Sequence, residues 1–419
     1  MSGDYQETYP IEEQKIANTI EKKLFQTPDT PLFHYTSREV FWKIIEGESF
    51  LARHILFSND SEEYELGKSK VMAMKGNRTA DRDGIGEEEI GTANERYMIC
   101  FCEKGDLLSQ WRGYAKNGIA MEFDFSLGIG GSEENSFSPY HCFTLANGGD
   151  VPVKAKIGAY ADMEDKRQEN FERRYVSVDE RTGKKYLTLC ITAPYKVFYA
   201  TRKKSTQELR DALKSIKEGE AAGISAAKLI PYIKNEKFDE EMEYRLIFDL
   251  EDLYNAEQEH MRGEKNIYLD MDGVKKPNIR VEFGDVRDSL ENDTIEIYYA
   301  DPAYQDTLEN FVKALEKEKI TVVQKLMPDG TKLKKNELLL GNGKNQERVM
   351  WRLSQTLNVK RGIFKNVKVW CDGHLPLRQI IVAPGKDAEL MRKSILQYKN
   401  NKYWMKYIDV KVSEIPYRD

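Results

Sequence analysis

A His-Tyr-Thr triplet at residues 34–36 ends a short apolar segment, just before a predicted helix over "SREVFWKIIEGE". A buried strand has little need of an imidazole, a phenol and a hydroxyl in a row, whereas a binding site could use all three. In a strand, His34 and Thr36 lie on one face and Tyr35 on the other, so His34 and Thr36 could both hydrogen-bond a ribose or a phosphate. A core histidine satisfied by the backbone is an equally good interpretation.

A second candidate is the segment "SQWRGYAKNG", in which Trp111, Arg112 and Tyr114 precede a predicted turn at Gly118. Two aromatic rings around an arginine suit stacking on a planar ring and binding of an anion. On this segment alone we favour a simpler interpretation, in which Trp111 anchors a helix to the core and Arg112 is a surface charge.

A third candidate is "FDEEMEYRLIF", where acidic and apolar residues alternate. The alternation predicts a strand with Glu241, Glu243 and Arg245 on one face. Repulsion between aligned carboxylates raises the pKa of one of them unless a cation compensates. Such a carboxylate can stabilise the oxocarbenium ion of a sugar. A charged edge strand with one Glu–Arg ion pair explains the pattern at least as well.

Composition narrows the classes of function. The 419 residues are 40% hydrophobic and 32% charged, and the formal net charge of -6 argues against general binding of polyanions. We see no signal peptide and no run near the ~18 apolar residues of a membrane span. The five cysteines form no Cys-x-x-Cys pair and the histidines show no metal-ligand spacing. We therefore expect a cytoplasmic protein with reduced thiols, without a metal and without a membrane partner.

Predicted helices and strands alternate irregularly, which favours an α+β fold over a doubly wound sheet. A helix is predicted over residues 11–25, at the start of a core that extends to residue 284. Residues 285–370 are predicted to form an inserted α/β subdomain. Residues 371–419 are predicted to form a strand, a helix and a strand that complete the core.

Several blocks of the sequence resemble a widespread, uncharacterised bacterial family of unknown function. These blocks are "HYTS", "SND", "CFC", "WRGY", "EMEYR" and "IPYR", and they cover most of the chain outside residues 285–370. The first block also resembles the opening of the ADP-ribosyltransferase superfamily, where a strand ending in a His-x-Thr-like triplet precedes a helix and a second strand. This second resemblance implies a split, mixed β-sheet with flanking helices that binds NAD in its cleft.

The same resemblance implies roles for particular residues. His34 would bind a ribose of NAD, Glu243 would be the catalytic carboxylate, and Glu241 would orient the acceptor. The aromatic residue that stacks on nicotinamide stays open among Tyr35, Tyr64 and Tyr114. The full set expected to contact NAD is His34, Tyr35, Thr36, Asn59, Trp111, Arg112, Tyr114 and Arg245.

The expected activity is therefore transfer of ADP-ribose from NAD to a protein, RNA or DNA, as in bacterial toxins or phage-defence effectors, with an antitoxin as a further partner. Cleaving the nicotinamide–ribose bond needs a held dinucleotide, a stacked ring and one well-placed carboxylate. Two alternatives stay open: a non-catalytic module that senses a nucleotide or a partner, and a metal-independent nuclease using His34, Arg112 and Tyr114.

Overall fold

The computed structural model describes residues 28, 30–58, 62–75, 96–124, 154–159, 176–179, 184–190, 194–219, 226–249, 266–271, 273–282, 294–327, 333–341, 343–359, 367–371, 375 and 377–416. The predicted helix over residues 11–25 and the candidate Asn59 lie outside these ranges.

The strands of the described residues follow in chain order. They are β1 (Leu32–Thr36), β2 (Ser49–His54), β3 (Arg96–Cys102), β4 (Ile119–Phe123), β5 (Lys154–Ala159), β6 (Val176–Asp179), β7 (Lys184–Cys190), β8 (Tyr195–Lys196), β9 (Phe198–Ala200), β10 (Ile233–Asn235), β11 (Glu243–Asp249), β12 (Asn266–Met271), β13 (Val274–Glu282), β14 (Thr294–Tyr299), β15 (Thr321–Leu326), β16 (Glu337–Leu340), β17 (Lys368–Cys371), β18 (Leu377–Val382) and β19 (Asp409–Val412).

The helices lie between these strands. The α-helices are α1 (Arg38–Gly47), α2 (Glu63–Lys75), α3 (Leu108–Gly113), α4 (Gln207–Gly219), α5 (Gln305–Glu316), α6 (Gln346–Val359) and α7 (Ala388–Asn400). Two 3₁₀ helices, Ala226–Tyr232 and Glu236–Glu241, lie on either side of β10. The mixture of helices with parallel and antiparallel strands confirms the α+β class.

The main sheet has the strand order β19-β18-β4-β1-β3-β2-β13-β5-β7-β6. Strand β3 is its branch point. All seven residues of β11 pair with one edge of β3, so β1 and β2 must share the other edge, where β1 pairs only at Cys102 and β2 only at Tyr97 and Met98. The sheet therefore divides between β1 and β2.

Helix α1 follows β1 for local reasons that the sequence shows. Ser37 caps its N-terminus, because the hydroxyl accepts a hydrogen bond from the Val40 amide at 3.2 Å. The helix ends at Gly47, after which Glu48 turns the chain with a left-handed φ of 44°. Buried side chains of Phe41, Ile44 and Ile45 pack this helix against the main sheet.

A second, four-stranded sheet has the order β15-β14-β16-β17 and carries α5 and α6. Its residues Ile295 and Ile297 belong to the same buried cluster as Leu32 and Phe123 of the main sheet. The C-terminal segment returns to the main sheet, where β18 pairs with β4 and β19 with β18. The two sheets thus share one core, and the expected domain limits stay a prediction.

Candidate functional site

The strand register assigns the predicted site residues to opposite faces of the main sheet. Phe33 and Glu243 both pair with Cys102, so these three side chains lie on the same face of the sheet. Because side chains alternate along a strand, Tyr35 shares that face and His34 lies on the other. The structure therefore does not bring His34 and Glu243 together.

His34 occupies the place where the sheet divides. Its Nδ1–H donates to the carbonyl oxygen of Cys100 at 2.9 Å, and its ring meets Phe50 and Phe101 edge-on. Burial lowers the pKa of His34 below its ordinary value, and the hydrogen bond to Cys100 only partly opposes this. A neutral imidazole that satisfies a backbone carbonyl between aromatic rings matches the core-histidine interpretation. Thr36, on the same face, is buried.

Tyr35 and Trp111 form a second packed cluster on the Glu243 face. Their rings meet edge-on with centroids 4.9 Å apart, and both are buried. The Tyr35 hydroxyl donates to the carbonyl of Lys104 and accepts from the amide of Leu107, while the Trp111 indole donates to Asp106 at 2.7 Å. Every polar atom of these two rings is therefore bonded to the protein. Trp111 anchors α3 to the core, in agreement with the simpler interpretation of the segment "SQWRGYAKNG".

A network of buried ions fills the same face beside β11. The Lys234 ammonium donates to Oε2 of Glu241 and to Oε2 of Glu243, each at 2.6 Å. Arg245 donates from Nε to Oε1 of Glu243 at 2.8 Å, and its Nη2 also bonds Glu63. We call these five residues the ion network. Three carboxylates face two cations, so it carries one excess formal negative charge.

The expected strand face of Glu241, Glu243 and Arg245 needs a correction. Strand β11 begins at Glu243, whereas Glu241 ends a 3₁₀ helix and Met242 turns the chain with a left-handed φ of 42°. Strand β11 is also not an exposed edge, because Glu243 and Arg245 are buried between β3 and β8. Glu241 therefore reaches Lys234 from outside the sheet.

The network holds its charges against a large desolvation penalty. Burial by itself would raise the pKa of Glu243, but the charges of Arg245 and Lys234 outweigh it and lower that pKa to about 2. Burial would also lower the pKa of Lys234, but its carboxylate neighbours raise it well above the ordinary value. For Glu63 the balance is opposite, since burial outweighs Arg245 and raises the pKa.

The network reaches solvent at Glu241. The Tyr114 hydroxyl donates to Oε1 of Glu241 at 2.9 Å, and Lys234 lies 5.3 Å from the centre of the Phe238 ring. Tyr114 is 41% exposed and Phe238 37% exposed, while the side chain of Glu241 is 12% exposed and that of Glu243 only 6%. Two accessible aromatic rings thus lie beside the outermost carboxylate. Arg112, also exposed, lies on the same short helix as Trp111.

Sequence reasoning missed Lys234 as a member of the site. The signal was present, because a lysine inside the apolar segment "LIPYIKN" has to find a partner when that segment is buried. Sequence reasoning also missed Tyr199. Its hydroxyl accepts a hydrogen bond from the Glu243 amide at 2.8 Å and so fixes the start of β11.

Other candidate places in the described part of the chain lie apart from this network. An open groove of about 810 Å³ runs between α1 and α7 and contains none of the predicted site residues. Among the described residues, no group of three or more His, Cys, Asp or Glu side chains could hold a metal ion. No helix within those residues has the length and apolar character to cross a membrane.

Comparison with known proteins identifies one family. The family model described as "protein of unknown function (DUF2971)" matches residues 110–246, so this part of the chain is similar to that family. The matched range contains Tyr114, Lys234, Glu241 and the start of β11, but not His34. No curated protein and no solved structure matches the chain. The resemblance to ADP-ribosyltransferases stays a prediction.

Proposed function

We propose that this protein cleaves the nicotinamide–ribose bond of NAD and transfers ADP-ribose to a macromolecule, using the ion network as its carboxylate site. The observation that carries the proposal is the pair of carboxylates, Glu241 and Glu243, that Lys234 holds together, which is largely buried yet reaches solvent beside two exposed aromatic rings.

The reaction needs negative charge more than proton transfer. When the bond breaks, its electron pair leaves with nicotinamide and positive charge develops on the ribose as an oxocarbenium ion. A fixed carboxylate with little access to water stabilises that charge strongly. The ion network, with its excess negative charge, is complementary to such a cation.

The difference in burial between the two carboxylates supports a division of roles within the pair. Glu241 is the carboxylate that a bound ribose would meet first, because its side chain is twice as exposed as that of Glu243. Glu243 lies behind it, with both oxygens already bonded to Arg245 and Lys234. In this proposal Glu241 contacts the substrate and Glu243 supports it from the interior, the reverse of the roles that the superfamily resemblance implies.

The exposed aromatic rings provide a surface on which the nicotinamide ring of NAD could stack. Tyr114 and Phe238 could stack on nicotinamide, with Tyr114 also holding Glu241 through its hydroxyl. The fully bonded rings of Tyr35 and Trp111 are less suited to this task. His34 has no part in this site, since it lies on the other face of the sheet.

A second candidate function is binding of a nucleotide without turnover, as in a sensor. The complete set of hydrogen bonds on Glu243 favours it over turnover, because a carboxylate engaged in this way serves a structural ion network. The nuclease alternative loses support, because its three residues would have to act from two faces of the sheet.

The test is release of nicotinamide from NAD labelled in its adenine moiety, with cell extract, RNA or DNA as acceptor. Glu241→Gln should lower the rate on the order of a hundredfold in protein that circular dichroism shows to be folded. Glu389→Gln is the matched control, since Glu389 forms an exposed ion pair with Arg392 on α7. Binding of labelled NAD with no nicotinamide release from folded wild-type protein would favour the sensor and overturn the proposal.

A further inference from the structure

We propose that Lys234 is the positioning residue of this site: its ammonium, fixed from behind by Glu243, sets the place and direction of the Glu241 carboxylate that faces the substrate. This inference rests on the proposed function and names the residue that makes the carboxylate effective.

The position of Lys234 is itself rigidly defined. Its strand β10 pairs in parallel with β9, where Lys234 lies opposite Tyr199. The Tyr199 hydroxyl accepts from the Glu243 amide, so β9, β10 and the start of β11 are linked at the level of the ammonium. The lysine side chain is 7% exposed. A buried side chain between tied strands has little freedom to move.

Glu241 lacks this support from its own backbone. It lies at the end of a 3₁₀ helix of which residues 236–240 are exposed, and the left-handed Met242 follows it. Its carboxylate is held by two groups, Lys234 from the interior and Tyr114 from the surface. Since Tyr114 is 41% exposed and neutral, the buried ammonium is the stronger anchor.

The rest of the network supports the ammonium in turn. Glu243 binds Lys234 and Arg245, Arg245 binds Glu63, and Arg245 also donates to the carbonyl oxygen of Pro231 at 2.5 Å. Each charged side chain in this series is thus bound by the one that follows it toward the interior. Supporting side chains of this kind preserve the geometry of a reacting group, and displacement by about 1 Å can cost on the order of a hundredfold in rate.

The pH profile offers a readout that a merely structural lysine would not move. Charge on Lys234 helps to hold the pKa of Glu243 low, so loss of that charge raises the pKa and moves the acid limb of the rate profile to higher pH. The other titratable and charged groups around Glu243 stay in place in such variants. They are Glu63 on α2, Cys100 and Cys102 on β3, Tyr114 on α3, Tyr199 on β9, Glu241 and Arg245.

The experiment compares nicotinamide release by wild type, Lys234→Arg and Lys234→Met from pH 4 to pH 9. Lys234→Arg keeps the positive charge and so the net charge of the network, which favours folding, whereas Lys234→Met removes that charge and leaves Glu243 in place to titrate. Lys325→Met, which breaks a lysine–glutamate pair with Glu296 in the second sheet, is the matched control. Folding of each protein is checked by circular dichroism and thermal melting.

We expect Lys234→Arg to lower kcat about tenfold to a hundredfold with little change in KM, because the longer guanidinium displaces Glu241. Folded Lys234→Met should be at least as impaired, with its acid limb at higher pH, whereas Lys234→Arg should keep the acid limb of the wild type. Folded variants of Lys234 with the wild-type rate and pH profile would overturn the positioning role alone. Wild-type protein that releases no nicotinamide would overturn the proposed function, and the role of Lys234 in it.

Discussion

The polar side chains on the two faces of the main sheet differ in their charge and in their access to solvent. On one face, His34 is neutral, surrounded by aromatic rings and bonded to a backbone carbonyl. On the other face, Glu243 and Arg245 keep full charges in a network that extends to the surface. His34 on one side, and Glu243 and Arg245 on the other, all lie on strands that pair with β3. From the sequence alone, both groups are equally good candidates for a binding site.

The difference shows what burial demands of a polar group. A single histidine can lose its charge and satisfy one carbonyl, so it fits into a core at small cost. A carboxylate that stays ionised needs cations and further carboxylates around it, and these extend toward solvent. An ionised network that ends at an accessible residue is the arrangement that can act on a ligand, and here it lies on the Glu243 face.

The largest expected effect on stability follows from removing a charge from the ion network. Glu243→Gln leaves Lys234 and Arg245 with one charged partner fewer inside the protein, and we expect a loss of about 3–5 kcal/mol in the free energy of unfolding. Urea unfolding measures it, with the surface variant Glu389→Gln expected to leave stability nearly unchanged because its ion pair is exposed to solvent. Equal stability of the two variants would mean that the network is not a stabilising unit.

Substitutions of His34, on the other face of the sheet, should change the free energy of unfolding less. His34→Phe removes the donor to the Cys100 carbonyl and leaves that oxygen unsatisfied in the divided sheet, at a cost of about 1–3 kcal/mol. His34→Gln keeps an N–H donor and should lose less. Neither variant should change NAD turnover. A large rise in KM for NAD in folded His34→Gln would instead return His34 to the substrate site, as the superfamily resemblance implies.

The pH dependence of stability separates the two faces further. The pKa of His34 is lowered in the folded protein, so the folded state binds fewer protons than the unfolded state below about pH 6.5, and stability falls as the pH decreases through that range. The pKa of Glu243 is also lowered, to about 2, so its contribution is complete above about pH 4.5 and is lost as the pH falls toward 2.

Urea unfolding of wild type and His34→Gln between pH 7 and pH 4 measures the first of these losses. The two proteins should converge in stability as the pH decreases from 6.5, because only the wild type loses stability by charging His34. The difference between the two curves also removes the effect of Glu63, whose raised pKa acts in the opposite direction. Parallel curves would show that His34 titrates normally in the folded protein.

Local features of this fold were predictable from the sequence, and distant relations were not. The α+β class was predicted and is confirmed, and the Ser37 cap depends only on residues that neighbour it in the chain. The ion network depends on Glu63, 182 residues from Arg245, and on a left-handed turn at Met242 that no local pattern indicates. Alternation was read correctly for β1 but wrongly extended to Glu241, which lies outside β11. The faces of His34 and Glu243 follow from the register across β3.

The smallest expected change in stability concerns the exposed end of the network. Tyr114→Phe removes the hydroxyl that donates to Glu241, and since the ring is accessible to water we expect a loss of about 0.5 kcal/mol or less. Tyr398→Phe, on α7, is the control. Turnover of NAD by Tyr114→Phe should fall severalfold despite this small effect, because Lys234 alone then directs the carboxylate. Unchanged turnover would mean that Tyr114 only covers Glu241, leaving its orientation to the buried ammonium.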